Sequence, residues 1–345
     1  MVSEVEARPV FSRARPARPT IYDVAREAGV SKSLVSLVIN HSDLVSAAKR
    51  ESVKAAIKKL GYRPSRAAAN LAGDRTHTVG LVIDDFQNPW FVEVLRGLRA
   101  AMAPRGFHVA VREHYRLGDS FINAIDGFLD TQVDALVIAA EPGRHFESPG
   151  IPVVVEGTRL HEVEGADHVT SDHVYGVGQV MQHLQSLGHK RIGHVTGAGG
   201  SARSRLQAYQ HLMASLGEPA RYAGERNETN EEGGYEGAVQ LLRRHPEITA
   251  VFAANDTMAL GARAALREVG REVPRDVALV GYDNSQLARS RFLDLTTVDN
   301  RGFDVGLSCG ELVLRRLDDA PDAPPQSVIV PSRLVVRSSS VTRPA

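Results

Sequence analysis

The stretch TIYDVAREAGVS, residues 20–31, decides how the chain begins to fold. Thr20 is a favourable helix N-cap, and Asp23 three residues later can complete a capping box. Apolar residues then follow at helical spacing until Gly29, which breaks the helix. Ser31 can cap a second helix almost at once. Two helices separated by so short a glycine turn indicate a helix-turn-helix.

The second and third helices complete the predicted headpiece, which spans residues 19–63. The second helix runs to about Asn40, and the third is predicted to be capped by Ser46 and to end at Gly61. Apolar residues at helical spacing give these two helices an inward face: Val35, Val38, Ile39, Val53, Ile57 and Leu60. The sequence therefore predicts an all-α domain of three short helices at this end of the chain.

A basic tail and a linker flank the headpiece. Residues 1–18 are rich in Arg and Pro and are predicted to be disordered, and residues 64–74 hold a helical segment too short to be stable alone. Residues 1–75 carry 14 Lys and Arg against 7 Asp and Glu, a net charge of +7, whereas the remainder carries 27 against 34, a net charge of −7. A basic end on an acidic body indicates contact with a polyanion, and a merely solvated tail is the alternative.

Composition argues against several classes of protein. The single cysteine, Cys309, leaves no intrachain disulfide and no cysteine-built metal site, which favours a reducing cytoplasm. The histidines lack metal-ligand spacing, so neither a metal nor another cofactor is expected. No apolar run approaches the roughly 18 residues that a membrane span needs. Residues 1–19 also lack the apolar region of a secretory signal peptide, and the chain is expected to be cytoplasmic.

Residues 75–340 change to alternating strands and helices, which indicates an α/β fold. The predicted strands are 79–83, 108–112, 135–138, 152–155, 191–195, 250–253 and 278–282, and the predicted helices are 90–105, 121–130, 172–187, 205–216, 231–244 and 257–269. Such repeats form parallel sheets covered by helices on both faces. Their number predicts two doubly wound subdomains, with a ligand in a cleft beyond the carboxyl ends of the strands.

Further motifs lie in register with residues 20–31 along the rest of the chain. They are Val35-Ser36, Asn40, Leu60-Gly61-Tyr62-Arg63-Pro64, Ala69-Asn70-Leu71-Ala72-Gly73, Asp85-Phe86-Gln87-Asn88-Pro89-Trp90-Phe91, Leu187-Gly188-His189, Ala254-Asn255-Asp256 and Val280-Gly281-Tyr282-Asp283. Together they resemble the lactose-repressor (LacI/GalR) family of bacterial transcriptional regulators over about residues 19–340. The resemblance implies a homodimer, a hinge helix within residues 64–74 and a periplasmic-binding-protein-like effector domain of two interleaved subdomains. A small polar molecule in the cleft, such as a sugar or sugar derivative, would control affinity for a palindromic operator. The resemblance implies that the protein acts as a repressor.

The resemblance also places a set of residues against double-stranded DNA. The second helix should enter the major groove, where Lys32 and Ser33 occupy base-reading positions; a plain solvated helix surface is the alternative. Leu37 departs from the Arg usual in the family and cannot make a bidentate guanine contact, so the operator sequence stays open. The predicted DNA contacts are Thr20, Tyr22, Ser31, Lys32, Ser33, Ser36, Leu37, Asn40, Arg66, Asn70, Leu71 and Ala72.

A second set of residues is predicted to bind the effector. Arg205 stands where the family places a ligand-clamping arginine, and a planar guanidinium suits adjacent hydroxyls or a carboxylate. Asn255 and Asp283 directly follow predicted strands, at ends that should meet the cleft. The full set is Asp85, Trp90, Phe91, Asp172, Arg205, Asn255 and Asp283.

Several positions in this second set have alternative interpretations. Trp90 and Phe91 could offer a stacking face to a sugar or a base, although Phe91 could equally belong to the core. Asp85 and Asp172 could instead cap helices. Thr229 departs from the Trp or Phe that sugar-sensing members often carry there, which indicates a smaller ligand or one other than a hexose.

An enzyme and a secreted solute-binding protein are the alternative functions. Residues 197–200, Gly-Ala-Gly-Gly, resemble a phosphate loop, but no Gly-Lys-Ser/Thr follows, and the motif H-E-x-x-H is absent. An enzyme is therefore not expected. The effector domain alone would fit a periplasmic solute-binding protein, but the headpiece argues against that function. The sequence leaves open the effector, its action as inducer or corepressor, the target genes and any oligomer beyond a dimer.

Leu71 carries a prediction of its own. By the resemblance, its side chain inserts between base pairs in the minor groove, whereas an apolar residue in such a segment otherwise packs in a core or a dimer contact. Leu71→Ala is expected to weaken specific binding far more than nonspecific binding, because the wedge matters only where the duplex is deformed. DNA bending, measured by energy transfer between end labels, should decrease. An unchanged bend with unchanged specific affinity would assign Leu71 to packing.

Overall fold

A computed structural model describes residues 19–39, 44–62, 75–114, 120–144, 146–318 and 323–341. The chain divides into two units. One unit ends at Thr76 and the other begins at His77.

The first unit contains three helices, α1 (Ile21–Ala28), α2 (Lys32–Ile39) and α3 (Ala47–Leu60). The capping box is present at α1: Thr20 Oγ1 accepts a hydrogen bond from the Asp23 backbone N–H, and the Asp23 carboxylate accepts one from the Thr20 backbone N–H. The hydrogen bonds that the Asp23 carboxylate accepts from the Thr20 backbone N–H and hydroxyl lower the pKa of Asp23. Gly29 and Gly61 end α1 and α3 in the left-handed conformation, with φ of 65° and 61°. Ser46 precedes α3, but its side chain makes no capping hydrogen bond.

A small apolar core holds these helices together. Its buried members are Val24, Ala25, Val35, Val38, Val45, Val53, Ala56 and Tyr62. Helix α2 contributes Val35 and Val38, which share one face because they are three residues apart. Ile39, Ile57 and Leu60 are partly buried against the same core. The opposite face of α2 is consequently left at the surface.

The second unit alternates strands and helices along its whole length. In chain order they are β1 (Thr78–Ile83), α4 (Trp90–Met102) with a 3-10 turn at Ala103–Arg105, β2 (His108–Glu113), α5 (Ser120–Leu129), β3 (Ala135–Ala139), β4 (Val153–Glu156), β5 (Asp167–Ser171), α6 (His173–Ser186), β6 (Ile192–Val195), α7 (Gly200–Ser215), β7 (Arg221–Ala223), α8 (Glu231–Arg244), β8 (Ala250–Ala253), α9 (Asp256–Glu268), β9 (Ala278–Tyr282), β10 (Thr296–Asp299), α10 (Gly302–Asp318), β11 (Ser327–Val330) and β12 (Arg333–Val335).

The first subdomain is built on a six-stranded parallel sheet of order β11-β5-β4-β3-β1-β2. Alternate residues of the central strands β1, β3 and β4 enter apolar cores on opposite faces: in β1, Leu81 joins the core formed with α4 and α10, whereas Val82 joins the core formed with α5. Burial on both faces explains why these strands are almost continuously apolar. The predicted doubly wound architecture is confirmed.

The second subdomain repeats this plan with the order β12-β10-β9-β8-β6-β7. All neighbours are parallel except β12, which runs antiparallel to β10. Helices α8 and α9 cover one face, and α6 and α7 cover the other. The chain passes between the subdomains three times, after β5, after β10 and after β11, so the two subdomains are interleaved as expected.

Some elements differ from the sequence prediction. Strands β5, β7, β10, β11 and β12 and helix α10 were not predicted, and α7 begins at Gly200 rather than at Arg205. The glycines that suggested a loop there permit close packing, since a Cβ on Gly200 would lie 2.4 Å from the Thr158 carbonyl oxygen. A tertiary contact therefore overrides the weak helix propensity of glycine at this position.

Three further features bear on possible chemistry. The described residues contain no helix that is both long and apolar enough to cross a membrane. Among the same residues, no group of three or more His, Cys, Asp or Glu side chains could hold a metal ion. Cys309 is buried in the first subdomain, and burial raises the pKa of its thiol.

Close packing between α4 and α10 gives a stability prediction. A Cβ at Gly97 would lie 1.9 Å from the Phe303 carbonyl oxygen, so Gly97→Ala must push the helices apart. We expect a loss of about 1–3 kcal/mol in the free energy of unfolding. Gly178→Ala is the matched control, because its helix α6 leaves open space there and alanine is the better helix former by about 1 kcal/mol. If Gly97→Ala and Gly178→Ala gave urea unfolding curves that coincide with each other, the close packing of α4 against α10 would be contradicted.

Candidate functional site

A small cavity lies between the two subdomains, where the carboxyl ends of strands from both sheets converge. Its volume is about 80 Å³. The lining residues are Asp84, Asn88, Trp90, Phe91, Glu141, Glu156, Arg159, Ser171, His173, Ala198, Gly199, Gly200, Ser201, Ala202, Arg205, Thr229, Ala254, Asn255, Asp283 and Asn300. This is the edge at which open parallel sheets bind ligands.

Arg205 and Asp283 meet in the wall formed by the second subdomain. The Arg205 guanidinium reaches Asp283 at 3.8 Å and lies over the Tyr282 ring, 3.9 Å from its centre. Asp283 also accepts a hydrogen bond of 2.8 Å from Asn300 Nδ2. Its backbone has a φ of 105°, a conformation that costs a residue other than glycine about 1–3 kcal/mol and is concentrated at functional sites.

Glu156, Arg159 and Asp84 form the charged wall of the first subdomain. Glu156 ends β4 and lies 3.0 Å from the Arg159 guanidinium, which also reaches Asp84 at 3.7 Å. Both partners of the shorter pair are nearly buried, with side chains 6% and 9% exposed. Breaking such a pair by removing one partner would leave an uncompensated charge out of water.

Burial controls ionisation throughout the cavity. It raises the pKa of Glu156 against the opposing effect of Arg159, and it raises the pKa of Asp283 to about 8 against the opposing effect of Arg205. Burial also lowers the pKa of His173, and Arg205 adds to this shift. His173 is therefore neutral, and its Nδ1 lies 3.3 Å from the Tyr282 hydroxyl.

Three hydrogen bonds connect the subdomains around the cavity. The Glu141 carboxylate accepts one from the backbone N–H of Gly200, at the first turn of α7, where a helix favours negative charge. Ser201 Oγ donates to the Thr158 carbonyl at 3.3 Å. Ser171 Oγ donates to the Asn300 carbonyl at 2.8 Å. The described structure is therefore closed around the cavity.

Trp90 is held at the cavity by a glycine. A Cβ on Gly302 would lie 2.5 Å from the Trp90 ring, so the indole occupies space that any larger residue would fill. Trp90 is also the only tryptophan of the chain, so its fluorescence reports on this site alone. Phe91 lines the cavity and belongs to the apolar core of the first subdomain as well, so the core interpretation is confirmed and stacking on an effector stays a prediction.

The structure brings five of the seven predicted effector residues together: Trp90, Phe91, Arg205, Asn255 and Asp283 line the cavity. Asn255 also caps α9, through a 2.7 Å hydrogen bond that its Oδ1 accepts from the Met258 backbone N–H. Asp172 caps α6, and Asp85 accepts from the Gln87 backbone N–H at 2.7 Å. Neither of these two lines the cavity, and their contact with an effector stays a prediction.

Sequence reasoning missed several polar residues of the cavity: Asp84, Asn88, Glu141, Glu156, Arg159, Ser171, His173, Ser201 and Asn300. A signal existed for two of them. Asp84 and Glu156 come directly after the predicted strands 79–83 and 152–155, which is the criterion that selected Asn255 and Asp283. The others depend on chain crossings that the sequence did not reveal.

The exposed face of α2 carries the predicted DNA-reading side chains. Lys32 and Ser33 are exposed and Leu37 is 40% exposed, whereas Val35 and Val38 of the same helix are buried. Lys32 Nζ lies 5.4 Å from the centre of the Tyr22 ring, which is itself 63% exposed. A cation held over an aromatic ring is restrained at this surface.

The remaining predicted DNA contacts divide into two groups. Thr20 and Ser31 are exposed at the starts of α1 and α2, and Ser36 is half-buried on α2. Ser31 Oγ accepts a hydrogen bond from the Leu34 backbone N–H at 3.2 Å. The other predicted contacts lie outside the described residues: Asn40, Arg66, Asn70, Leu71 and Ala72.

Both units match known families. Residues 20–65 match the bacterial regulatory proteins of the lacI family, and residues 181–340 match a periplasmic binding protein-like domain. The chain is 35% identical to the HTH-type transcriptional regulator CelR of Thermobifida fusca, over 94% of this chain and 99% of that protein. It is 32% identical to the ribose operon repressor of Escherichia coli K12, over 86% and 93%.

A solved structure agrees with these relatives. The crystal structure of the lac repressor dimer bound to operator and the anti-inducer ONPF is 26% identical, with a TM-score of 0.80, and covers 94% of this chain and 100% of that one. A helix-turn-helix unit followed by two interleaved α/β subdomains defines a ligand-sensing class of DNA-binding regulators. The chain belongs to the lacI family of bacterial regulatory proteins.

The cavity predicts that ligand response can be separated from DNA binding. Arg205→Ala removes one charged contact at the ligand, so we expect ligand affinity to fall about tenfold to a hundredfold. Operator affinity without ligand should be unchanged. The change in operator affinity that the ligand causes, whether release or tighter binding, should require a much higher ligand concentration. Arg203→Ala is the matched control, because Arg203 is exposed two residues earlier on α7.

Fluorescence anisotropy of labelled operator, titrated with the cognate ligand, measures both quantities for the two variants. A normal ligand response in Arg205→Ala would remove this residue from the site. Loss of operator binding together with an unfolded circular dichroism spectrum would have the same meaning.

Proposed function

We propose that this chain is a ligand-responsive repressor that binds a near-palindromic operator as a dimer and senses a small polar molecule, a sugar or sugar derivative, in the cleft. The observation that carries the proposal is the union of two sites in one chain. The exposed face of α2 offers Lys32 and Ser33 to DNA, and the cleft offers buried charged side chains to a ligand.

The DNA-binding part of the proposal rests on charge and exposure. Residues 1–75 carry a net charge of +7, which favours a polyanion and makes binding strongly dependent on salt. Lys32 can donate to guanine in the major groove, and Ser33 can pair with several base edges. The crystallised relative bound to operator supports the same use of this unit.

The ligand-binding part rests on the size and the charge of the cavity. At about 80 Å³ it is smaller than the roughly 300 Å³ at which small-molecule pockets begin. A ligand would therefore enter only when the subdomains separate, and it would remake the contacts that close them. This gives the ligand different affinities for the two conformations, which is the requirement for shifting the DNA-bound population.

Two parts of the proposal concern what the protein does not do and where it works. We infer that the cleft binds its ligand without transforming it, because the family consists of regulatory proteins. We infer a cytoplasmic location, where operator DNA lies. The half of the chain that matches a periplasmic binding protein-like domain is then used as a sensor rather than for solute capture.

Salt dependence of operator binding tests the DNA half. The probe is an operator selected from fragmented genomic DNA. The logarithm of its affinity for the dimer should fall against the logarithm of salt concentration with a slope of about −5, as expected if about 6 phosphates are neutralised. The measurement is fluorescence anisotropy at several salt concentrations. A slope near zero, or equal affinity for random DNA at physiological salt, would rule out the proposed function.

Two lysines give the matched variants for this experiment. Lys32→Ala should lower affinity for the selected operator by about tenfold or more, because a base contact is lost. Lys54→Ala removes the same charge from α3, where Lys54 pairs with Glu51 at 3.0 Å, and should change specific affinity much less. Equal losses in both variants would mean that Lys32 contributes only charge.

A further inference from the structure

The cleft contains more negative than positive side chains. Four carboxylates line it, those of Asp84, Glu141, Glu156 and Asp283, against two guanidinium groups, those of Arg159 and Arg205. His173 adds no charge, because burial keeps it neutral. When all four carboxylates are ionised, the lining carries a net charge of −2. Charge taken out of water needs a partner of opposite sign. The excess negative charge of the lining therefore has too few positive side chains to pair with.

Glu156 and Asp283 are the two carboxylates on which this shortage falls. They belong to opposite subdomains, since Glu156 ends β4 and Asp283 follows β9. Burial raises the pKa of each, and the negative charge of Asp256 and, to a smaller extent, that of Glu156 add to the shift at Asp283. Arg205 approaches Asp283 only to 3.8 Å, beyond hydrogen-bond distance. Both carboxyl groups line one small cavity, so when both are ionised they repel each other as the subdomains close, and a cation beside them would relieve that repulsion.

Asn300 supplies a second and independent observation. It is 1% exposed and lines the cavity, and its Nδ2 donates to Asp283. This bond uses the amide nitrogen, so the amide oxygen of Asn300 is left for a different partner. The Asn300 Oδ1 is then a buried acceptor that has no hydrogen-bond partner among the described residues. A buried acceptor left in this state indicates a donor that comes with the ligand.

Two unpartnered donors belong to other residues that line this cavity. The Nε atoms of Arg159 and Arg205 are buried and have no acceptor among the described residues. Each would suit a hydroxyl or ring oxygen of a ligand. The cleft therefore offers a ligand two kinds of group. Acceptors and negative charge lie around Asp283, and donors lie on the two arginines.

We propose, on the basis of the function proposed above, that the effector is an amino sugar, a polyhydroxylated ring with a protonated primary amine, whose ammonium lies between Glu156 and Asp283. An ammonium has three N–H donors. Glu156, Asp283 and the Asn300 Oδ1 are three acceptors at one cavity. The hydroxyls meet the Nε donors of Arg159 and Arg205, and Trp90 faces the ring.

Other charged ligands fit less well. A hard divalent cation needs about six oxygen ligands at short distances, and among the described residues no group of carboxylates and histidines could hold a metal. A phosphorylated or carboxylated sugar would add negative charge to a lining that already has an excess. An ammonium compensates the two facing carboxylates and so favours the closed cleft.

Binding of matched sugars to the full-length chain tests the proposal. The probes are D-glucosamine, D-galactosamine and D-mannosamine, each compared with its parent hexose and its N-acetyl derivative, and D-glucuronate as the anionic probe. Calorimetry and Trp90 fluorescence measure binding. We expect at least one amino sugar to bind at least about tenfold more tightly than its parent and its N-acetyl form. This comparison uses the unaltered chain and needs no variant to fold.

Two glutamate variants locate the amine. Glu156→Gln keeps a hydrogen-bonding group beside Arg159 but removes the charge, so the preference for the amine should fall about tenfold. Glu164→Gln is the matched control on an exposed position and should keep the preference. A preference that survives Glu156→Gln would overturn the assignment, as would tighter binding of a parent hexose or glucuronate, or no amine preference in any pair.

The outcomes also separate this proposal from the function on which it rests. A neutral hexose that binds the cleft and alters operator affinity would overturn the amino sugar and leave the ligand-responsive regulator standing. Normal operator binding with no response to any probe would overturn the amino sugar and leave the DNA-binding half. Failure to bind operator DNA at all would overturn the proposed function itself.

Discussion

The structure of the sensing unit depends on one constraint: charged side chains at the carboxyl ends of two parallel sheets are forced into a single buried cleft. Three chain crossings hold the sheets so that these ends converge. Glu156 and Asp283 therefore meet Arg159 and Arg205 away from water, where unpaired charge is costly. The closing hydrogen bonds, the raised pKa values and the strained backbone at Asp283 all follow from that placement.

A cleft of this kind is suited to control rather than to stability. Buried ion pairs contribute little net stability, but an altered balance of charge changes which conformation is favoured. A ligand that completes the balance favours the closed cleft, which involves both subdomains because both line it. The headpiece has its own small apolar core, so it can keep its fold while its affinity for DNA changes. Ligand and operator then act on the same protein through a shared equilibrium.

Local signals in the sequence predicted much of the fold. The ends of α8, β8 and β9 agree with prediction because caps and buried apolar runs mark them clearly. Helix α10 was missed, and its Gly302, Gly306 and Gly310 lower helix propensity while permitting close contact with Trp90 and α4. Arg159 was missed because a charged residue in a loop has no special meaning until the cleft around it forms, whereas Glu156 met the strand-end criterion and was overlooked. Long-range packing, which no local pattern encodes, therefore decided what was overlooked.

Thermodynamic reciprocity tests the central claim that cleft and headpiece share one equilibrium. If ligand changes operator affinity by some factor, operator must change ligand affinity by the same factor. The measurement is the Kd of the ligand, from Trp90 fluorescence, for the free protein and for the protein saturated with operator, beside the Kd of operator with and without ligand. We predict that the ratio of the two ligand Kd values equals the ratio of the two operator Kd values, and that both ratios differ clearly from one. A ligand that binds the cleft with the same Kd in the free and the operator-bound protein would contradict the account.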